Sequence, residues 1–246
     1  VPENGIDTTR FTAVRSRKAS RPLRVIFVGR LVTYKGPDML LEAAESLLAR
    51  GELTLEFVGT GPLEESLRQF VDERGLQPAV HFAGWVEHAQ VQHRLAEADL
   101  LALPSIREFG GGVVLEAMAV GLVPLVVNYG GPAELITPRT GFTIELGTRG
   151  QIVERLREQL AELVARPELI DERCGPARRR VAQHFTWSAK ARQVLGVYAR
   201  LLGQDSSTEM PASAGPLLPH SRLAKACRSV NKAMAGKKEE AQWLAC

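Results

Sequence analysis

One feature constrains this chain more than any other. From residue 24 to residue 127, short apolar runs rich in β-branched residues alternate with longer segments of helical periodicity. Arg24–Val28, Leu53–Val58, Ala79–Phe82, Leu100–Leu103 and Leu122–Val127 read as strands. Pro37–Arg50, Pro62–Arg74, Val86–Ala98 and Val113–Val120 read as the helices between and after them. In the first helix Met39, Leu40, Ala43, Ala44, Leu47 and Leu48 fall on one face, and Pro37 sits in the first turn, where its missing N–H costs nothing. Three more helical segments follow, Gln151–Ala165, Ile170–Phe185 and Ser188–Leu202. The strands are apolar along their length rather than on every second residue. Such strands belong to a parallel sheet covered on both faces, so the expected fold is α/β, a doubly wound Rossmann-like sheet.

Composition excludes several classes. A chain of 246 residues that is 45% hydrophobic and 24% charged can bury an ordinary core without staples. Cys174, Cys227 and Cys246 are odd in number and widely spaced, which fits neither a disulfide framework nor a zinc site and suits a reducing, cytoplasmic setting. Net charge is only +3, and much of the positive charge is local, in Arg178-Arg179-Arg180 and after Ser221. The arginine run reads as a solvated helix face, so no nucleic-acid partner is expected. No apolar run reaches the ~20 residues needed to span a bilayer. The start, Val1-Pro2-Glu3-Asn4-Gly5, does not have the pattern of a signal peptide and lacks an initiator Met, which suggests a processed or truncated beginning. Residues 203–219 are rich in Ser, Pro, Gly and Ala and read as a flexible linker. Beyond them Leu223, Cys227, Val230 and Met234 give a basic amphipathic helix, read first as docked on its own domain or left loose, and otherwise as a membrane-surface or partner helix.

In an open parallel sheet, ligands bind beyond the carboxyl ends of the strands. The turns there form a coherent set. Gly29-Arg30-Leu31-Val32-Thr33-Tyr34-Lys35-Gly36 follows the first strand and places two cations before a helix, suited to a diphosphate. Taken alone, it reads equally well as an exposed loop with solvated cations. Gly59-Thr60-Gly61 follows the second strand and permits either a tight turn or close backbone approach. Trp85 and Val86 end the third; an aromatic there usually packs into the core, and stacking on a ligand is the alternative.

The richest segment runs from Arg107 through Glu108, Phe109, Gly110, Gly111, Gly112, Val113, Val114 and Leu115 to Glu116. Its glycines lead directly into a helix, exposing N–H groups that favour an anion. Glu108 and Glu116 flank that loop, expected on one cavity, each able to accept hydrogen bonds from a vicinal diol. Solvated surface carboxylates are the plainer reading of both. Asn128-Tyr129-Gly130-Gly131-Pro132 is expected as a further turn facing the same cavity.

These segments resemble the group 1 family of retaining glycosyltransferases. Glu108 and Glu116, followed by Ala117-Met118-Ala119, resemble the family's E-x7-E signature, and Gly29-Arg30-x4-Lys35-Gly36 its phosphate-binding loop. Asn4-Gly5-Ile6-Asp7 resembles its interdomain linker, and Phe185-Thr186-Trp187 the approach to its final helix. The chain departs from the usual loop, with Phe109 displaced by one position ahead of Gly110 and Gly111.

The resemblance implies the C-terminal, donor-binding half of a two-domain GT-B enzyme, with the acceptor-binding half absent. It implies residues 1–23 as interdomain linker, 24–186 as donor domain, 187–202 as crossover helix and 203–246 as tail. Arg30 and Lys35 would neutralise the donor diphosphate, Glu116 would hold ribose hydroxyls and Glu108 hydroxyls of the transferred sugar. Backbone near Gly111, Gly112 and Val113 would face sugar or phosphate, with Gly29, Gly59, Gly61, Trp85 and Val86 around the nucleotide and the base at Val86.

The reaction implied is transfer with retention, the acceptor attacking the face the leaving group departs, so Glu108 is not assigned as a nucleophile. No Asp-x-Asp motif is present, in keeping with metal-independent chemistry and no cofactor beyond the sugar-nucleotide substrate. The expected partners are a nucleotide sugar, an acceptor domain in cis or trans, and a glycan or lipid-linked acceptor. Two rival readings are a non-catalytic nucleotide-sugar-binding module and a GT-B epimerase or phosphorylase. A dinucleotide oxidoreductase is disfavoured, because the first strand does not run into G-x-G-x-x-G.

Overall fold

The computed structural model describes residues 5–16, 18–19 and 21–201. The expected tail features, Cys227 and Cys246 lie outside the described residues. Six parallel strands form one sheet in the order β3-β2-β1-β4-β5-β6. They are β1 (Leu23–Val28), β2 (Leu53–Val58), β3 (Val80–Gly84), β4 (Leu100–Leu103), β5 (Val123–Val127) and β6 (Phe142–Ile144). The helices are α1 (Pro37–Ala49), α2 (Glu64–Glu73), α3 (His88–Glu97), α4 (Gly112–Val120), α5 (Gly130–Leu135), α6 (Arg149–Ala165), α7 (Glu168–His184) and α8 (Trp187–Leu201).

Burial explains the order. β4 and β5 are buried at every residue, whereas the edge strands β3 and β6 are partly exposed. The chain starts in the middle at β1, winds outward through β2 and β3, then returns to β4 on β1's other side. Right-handed crossovers on both sides of that reversal place the helices on opposite faces. On one face α1 packs against α6; on the other α4 packs between α3 and α7. Phe27, Phe57 and Phe82 meet ring to ring between β1, β2 and β3.

Two elements escaped the sequence reading. β6 has only three residues, too few to show periodicity. α5 begins Gly130-Gly131-Pro132, residues of low helix propensity that read as a turn. Boundaries also moved. Pro62 precedes α2 rather than starting it, and Val86 lies ahead of α3, whose N-cap is Glu87. In the arginine run, Arg178 and Arg179 are exposed, but Arg180 is half-buried and donates from Nε to Leu135 O at 2.7 Å.

Residues 5–16 lie along the domain and are anchored by a buried ion network. Arg15 and Asp99 side chains are 3% and 0% exposed and meet at 3.1 Å. Arg15 also reaches Asp171 at 3.3 Å and Ala98 O at 3.1 Å, and its backbone N–H donates to Val120 O at 2.8 Å. Cys174 sits against the same guanidinium, and burial pushes its thiol pKa up. The two segments singled out near the chain's ends come together. Ile6 bridges Thr186 in parallel, Ile6 N–H donates to Phe185 O at 2.8 Å, and Gly5 lies so close to the Trp187 ring that a Cβ there would meet it at 2.7 Å. Residues 196–246 form a second unit, described only in the last turns of α8.

Removing one partner of a buried ion pair strands the other charge, a loss of about 3–5 kcal/mol. Arg15→Met keeps the volume and removes the charge. It should lower the unfolding free energy by up to that amount, read from the fall in the urea midpoint, since Asp99 keeps the Arg24 backbone N–H at 3.0 Å. An unchanged midpoint would mean that Asp99 is fully served by its remaining partners.

Candidate functional site

The sheet order reverses between β1 and β4, and the loops leaving those two strands carry the marked residues. After β1 the chain passes Gly29, makes a 3-10 turn at Thr33–Lys35 and enters α1 through Gly36 in the left-handed region (φ 70°). After β4 it runs through Ser105 to Glu108 and enters α4 through Gly111, also left-handed (φ 63°). Neither helix has a side-chain cap on its first turn. Pro37 removes one N–H at the start of α1, while α4 keeps all of its own, so α4 presents the richer set of outward donors.

The two loops are tied to each other. Ile106 N–H donates to Tyr34 O at 2.9 Å and Ser105 Oγ to the same oxygen at 3.2 Å. Lys35 Nζ meets Glu108 Oε2 at 2.7 Å, each side chain 19% exposed. The Lys35 stem folds back over Gly29, with its Cδ 3.4 Å from where a Gly29 Cβ would stand. Arg30, by contrast, is exposed and forms no ion pair with any described residue.

Each loop is backed by glycines from the neighbouring strand. A Cβ on Gly59 would lie 2.1 Å from Gly29 O, and one on Gly61 would lie 2.4 Å from Leu31 O. Hydrogen bonds Leu31 N–H to Thr60 O (3.0 Å) and Leu63 N–H to Leu31 O (3.1 Å) close the seam. Beyond β5 the arrangement recurs. Cβ atoms on Gly130 and Gly131 would lie 2.7 Å from Glu108 O and 1.8 Å from Phe109 O. These four glycines therefore serve backbone-to-backbone packing that shapes the cation and carboxylate loops.

The expectation that Glu108 and Glu116 share one cavity is corrected. Glu108 lines a recess of about 400 Å³ with Tyr34, Lys35, Arg107 and Phe109. Glu116, one turn into α4, lines another of about 220 Å³ with Asp7, Arg10, Phe11, His88 and Trp187. The first turn of α4 lies between them in sequence. The core reading of Trp85 is also corrected: it is 69% exposed, because Gly84 (φ 67°) turns the chain outward at the end of β3. Val86 stays half-buried against the core, and Phe109 is 96% exposed.

Sequence reasoning missed His88, whose Nε2 lies 2.9 Å from Glu116 Oε1, and the placement of Trp187 in the same recess. A histidine opening a helix just beyond a strand was the available signal. A further cavity of about 360 Å³ opens beside α3 at the amino ends of β1–β3, lined by Arg24, Thr54, Glu56, His81, Arg94 and Glu97. Its charges are largely matched internally, Arg94 to Glu56 at 2.8 Å and His81 to Glu56 at 3.9 Å, and it lies away from the glycine loops.

Residues 9–172 match the family described as glycosyl transferases group 1. The chain belongs to that family. It is 31% identical over 207 residues to a putative colanic acid biosynthesis glycosyltransferase, WcaL, of Salmonella typhimurium, covering 79% of this chain and 49% of that one. It is 30% identical over 213 residues to a GDP-mannose-dependent phosphatidylinositol monomannoside mannosyltransferase of Corynebacterium glutamicum, covering 79% of this chain and 54% of that one. The chain thus spans about half the length of these curated relatives.

Among solved structures, the C-terminal domain of a group 1 glycosyltransferase (LpcC) from Francisella tularensis superposes with a TM-score of 0.65 at 22% identity. It covers 74% of this chain and 100% of that one. Anabaena HepE, solved with UDP and glucose, gives 0.64 at 21%, covering 80% of this chain and 55% of that one. The fold is that of the C-terminal Rossmann-like domain of a GT-B glycosyltransferase. Among the described residues no helix is long and apolar enough to cross a membrane.

The glycine contacts make a paired prediction. Gly131→Ala forces a side chain onto Phe109 O and should cost roughly 1–3 kcal/mol, as overpacking does. Gly112→Ala meets nothing within 4 Å and should be neutral or gain up to about 1 kcal/mol of helix propensity. Thermal unfolding of the two variants checks both. Equal stability would mean the β5 loop does not buttress Glu108.

Proposed function

We propose that this domain binds a nucleoside-diphosphate sugar and, together with an acceptor-binding half, transfers the sugar with retained anomeric configuration and without a metal. The observation that carries the reading is the uncapped first turn of α4, which lies in sequence between Glu108 in one recess and Glu116 in another, with the β1 cation loop tied to the loop that leads into it. A sugar nucleotide has the matching order: hydroxyls, then a doubly charged diphosphate, then the ribose diol. In this reading the transferred sugar lies in the Glu108 recess, the diphosphate over α4 and beside Arg30 and Lys35, and the ribose diol on Glu116. The base lies toward Trp85 and Val86.

The residues then have definite tasks. When the bond from the sugar's anomeric carbon to the phosphate oxygen breaks, negative charge grows on the leaving diphosphate. Arg30, Lys35 and the N–H groups of Gly111, Gly112 and Val113 supply positive potential there without reorganising. The acceptor hydroxyl attacks from the face being vacated, and its proton passes to the departing phosphate oxygen. Glu108 holds sugar hydroxyls in place rather than attacking. The membership in a glycosyltransferase family supports this assignment. The acceptor, glycan or lipid-linked, belongs to the other half of such an enzyme.

A thermal-shift screen of the full chain against UDP, GDP, ADP and their sugars tests donor binding. A ligand at about 100 times its Kd adds ~2.7 kcal/mol if it binds only the folded form. At about 2–4 °C per kcal/mol, the melting temperature should rise by several degrees for one base and not the others. No shift with any nucleotide in a folded sample would overturn the reading.

Arg30→Ala should weaken binding of the selected nucleotide by about 1.5–3 kcal/mol, the worth of a hydrogen bond to a charged group. Titration calorimetry giving the parent affinity would remove Arg30 from the site. Glu116→Ala should weaken the ribonucleotide but leave its 2′,3′-dideoxy analogue nearly unchanged. Equal losses would refute the ribose assignment.

A further inference from the structure

The geometry points to His88 as a positioning residue that holds the Glu116 carboxylate for ribose recognition and so sets the discrimination between ribo- and deoxyribonucleotides. This inference rests on the donor-binding reading and adds to it a residue outside the glycine and carboxylate motifs.

The contact is directional. His88 Nε2 lies 2.9 Å from Glu116 Oε1. A carboxylate only accepts hydrogen bonds, so Nε2 carries the proton and donates. Glu116 is 19% exposed while His88 is 62% exposed. The carboxylate is thus set into the recess and the imidazole covers its rim. One lone-pair direction of Oε1 is used, leaving the rest of the carboxylate for a vicinal diol.

His88 is itself held from two sides. It is the first residue of α3, and its ring meets Phe11 edge to face, with centroids 5.9 Å apart at 78°. One turn further along α3, Gln92 is buried and its Oε1 accepts from the backbone N–H groups of Thr12 (2.9 Å) and Ala13 (3.1 Å). The segment carrying Phe11 is therefore fixed to the helix carrying His88. Nearby Asp7 is engaged locally, its Oδ1 accepting from Thr9 N–H at 3.0 Å and Thr9 Oγ1 at 2.6 Å.

The energetic consequence lies in preorganisation. A glutamate has three side-chain torsions, and ordering them on binding subtracts from affinity. The His88 hydrogen bond settles the Glu116 rotamer beforehand, so the diol meets a carboxylate already aimed. Phosphate and base contacts do not pass through Glu116. Loss of His88 should therefore weaken the ribose-dependent part of binding and spare the remainder.

The test compares Kd values for the preferred ribonucleoside diphosphate and its 2′,3′-dideoxy analogue, in the full chain and in His88→Phe and His88→Gln. Phe keeps a ring against Phe11 and removes the donor, whereas Gln places an amide N–H near the position of Nε2. The expected result is a fall in the dideoxy-to-ribo Kd ratio of roughly 5-fold or more in His88→Phe, the net worth of an ordinary hydrogen bond. In His88→Gln the ratio should stay within about twofold of the parent. The dideoxy affinity should hold steady throughout, as should each variant's melting temperature without ligand.

A parental ratio retained in His88→Phe would overturn the inference. So would equal loss for both ligands, which would place His88 at the base or in the fold. If the parent binds both nucleotides equally well, the ribose role of Glu116 fails and this inference with it, while donor binding stands. If the parent binds neither, the donor reading itself is what fails.

Discussion

The site depends on backbone packed against backbone. The loop after β1 rests on Gly59 and Gly61, and the loop after β4 rests on Gly130 and Gly131, at separations where no Cβ fits. Strands β1 and β4 are neighbours at the point where the sheet order reverses, so the two loops diverge to opposite faces and would leave the crevice open and loosely defined. The glycine contacts instead press each loop inward from its outer neighbour, and the Tyr34 carbonyl joins them across the middle. Four loops form one rim. The positions of Lys35, Glu108 and the first turn of α4 follow from that rim rather than from any one loop's own preference.

That dependence explains what the sequence made legible. The central strands could be read directly, because β4 and β5 are buried throughout and their apolar runs are unbroken. The glycines of the rim could be located, but not their partners. Gly59 and Gly29 lie 30 residues apart in sequence, and only the β1–β2 pairing brings the two turns together. The same holds for Lys35 and Glu108, 73 residues apart. A loop glycine reports that something approaches closely, and local pattern cannot distinguish a ligand from a neighbouring carbonyl. Trp85 failed for a related reason. Its strand position suggested core, but the left-handed turn at Gly84 depends on an edge strand ending there.

The anchoring of residues 5–16 has its own logic. The segment contributes few large apolar side chains, and its attachment runs through Arg15, whose buried guanidinium takes up the buried Asp99, the partly exposed Asp171 and Ala98 O. A buried pair of this kind adds little net stability over a hydrophobic substitute, but it punishes misalignment heavily. It therefore fixes where the segment lies more than how tightly it is held. Phe11 owes its place beside His88 to this registration and to Gln92.

The Lys35–Glu108 pair qualifies the view of the β1 loop as a simple phosphate trap. A lysine that shares its charge with a carboxylate at 2.7 Å presents less positive potential to an anion than an isolated one would. The uncompensated charge at the rim then comes from Arg30 and from the N–H groups at the start of α4. Such a rim suits inorganic phosphate poorly, since Glu108 repels it. A ligand that carries hydroxyls beside its phosphate reverses that balance: hydroxyls donate to Glu108 while the phosphate draws on Lys35, so both members of the pair gain a partner. On the proposed reading, the mixture of charges would favour a sugar attached to a diphosphate over the diphosphate alone, through repulsion of the wrong ligand as much as attraction of the right one.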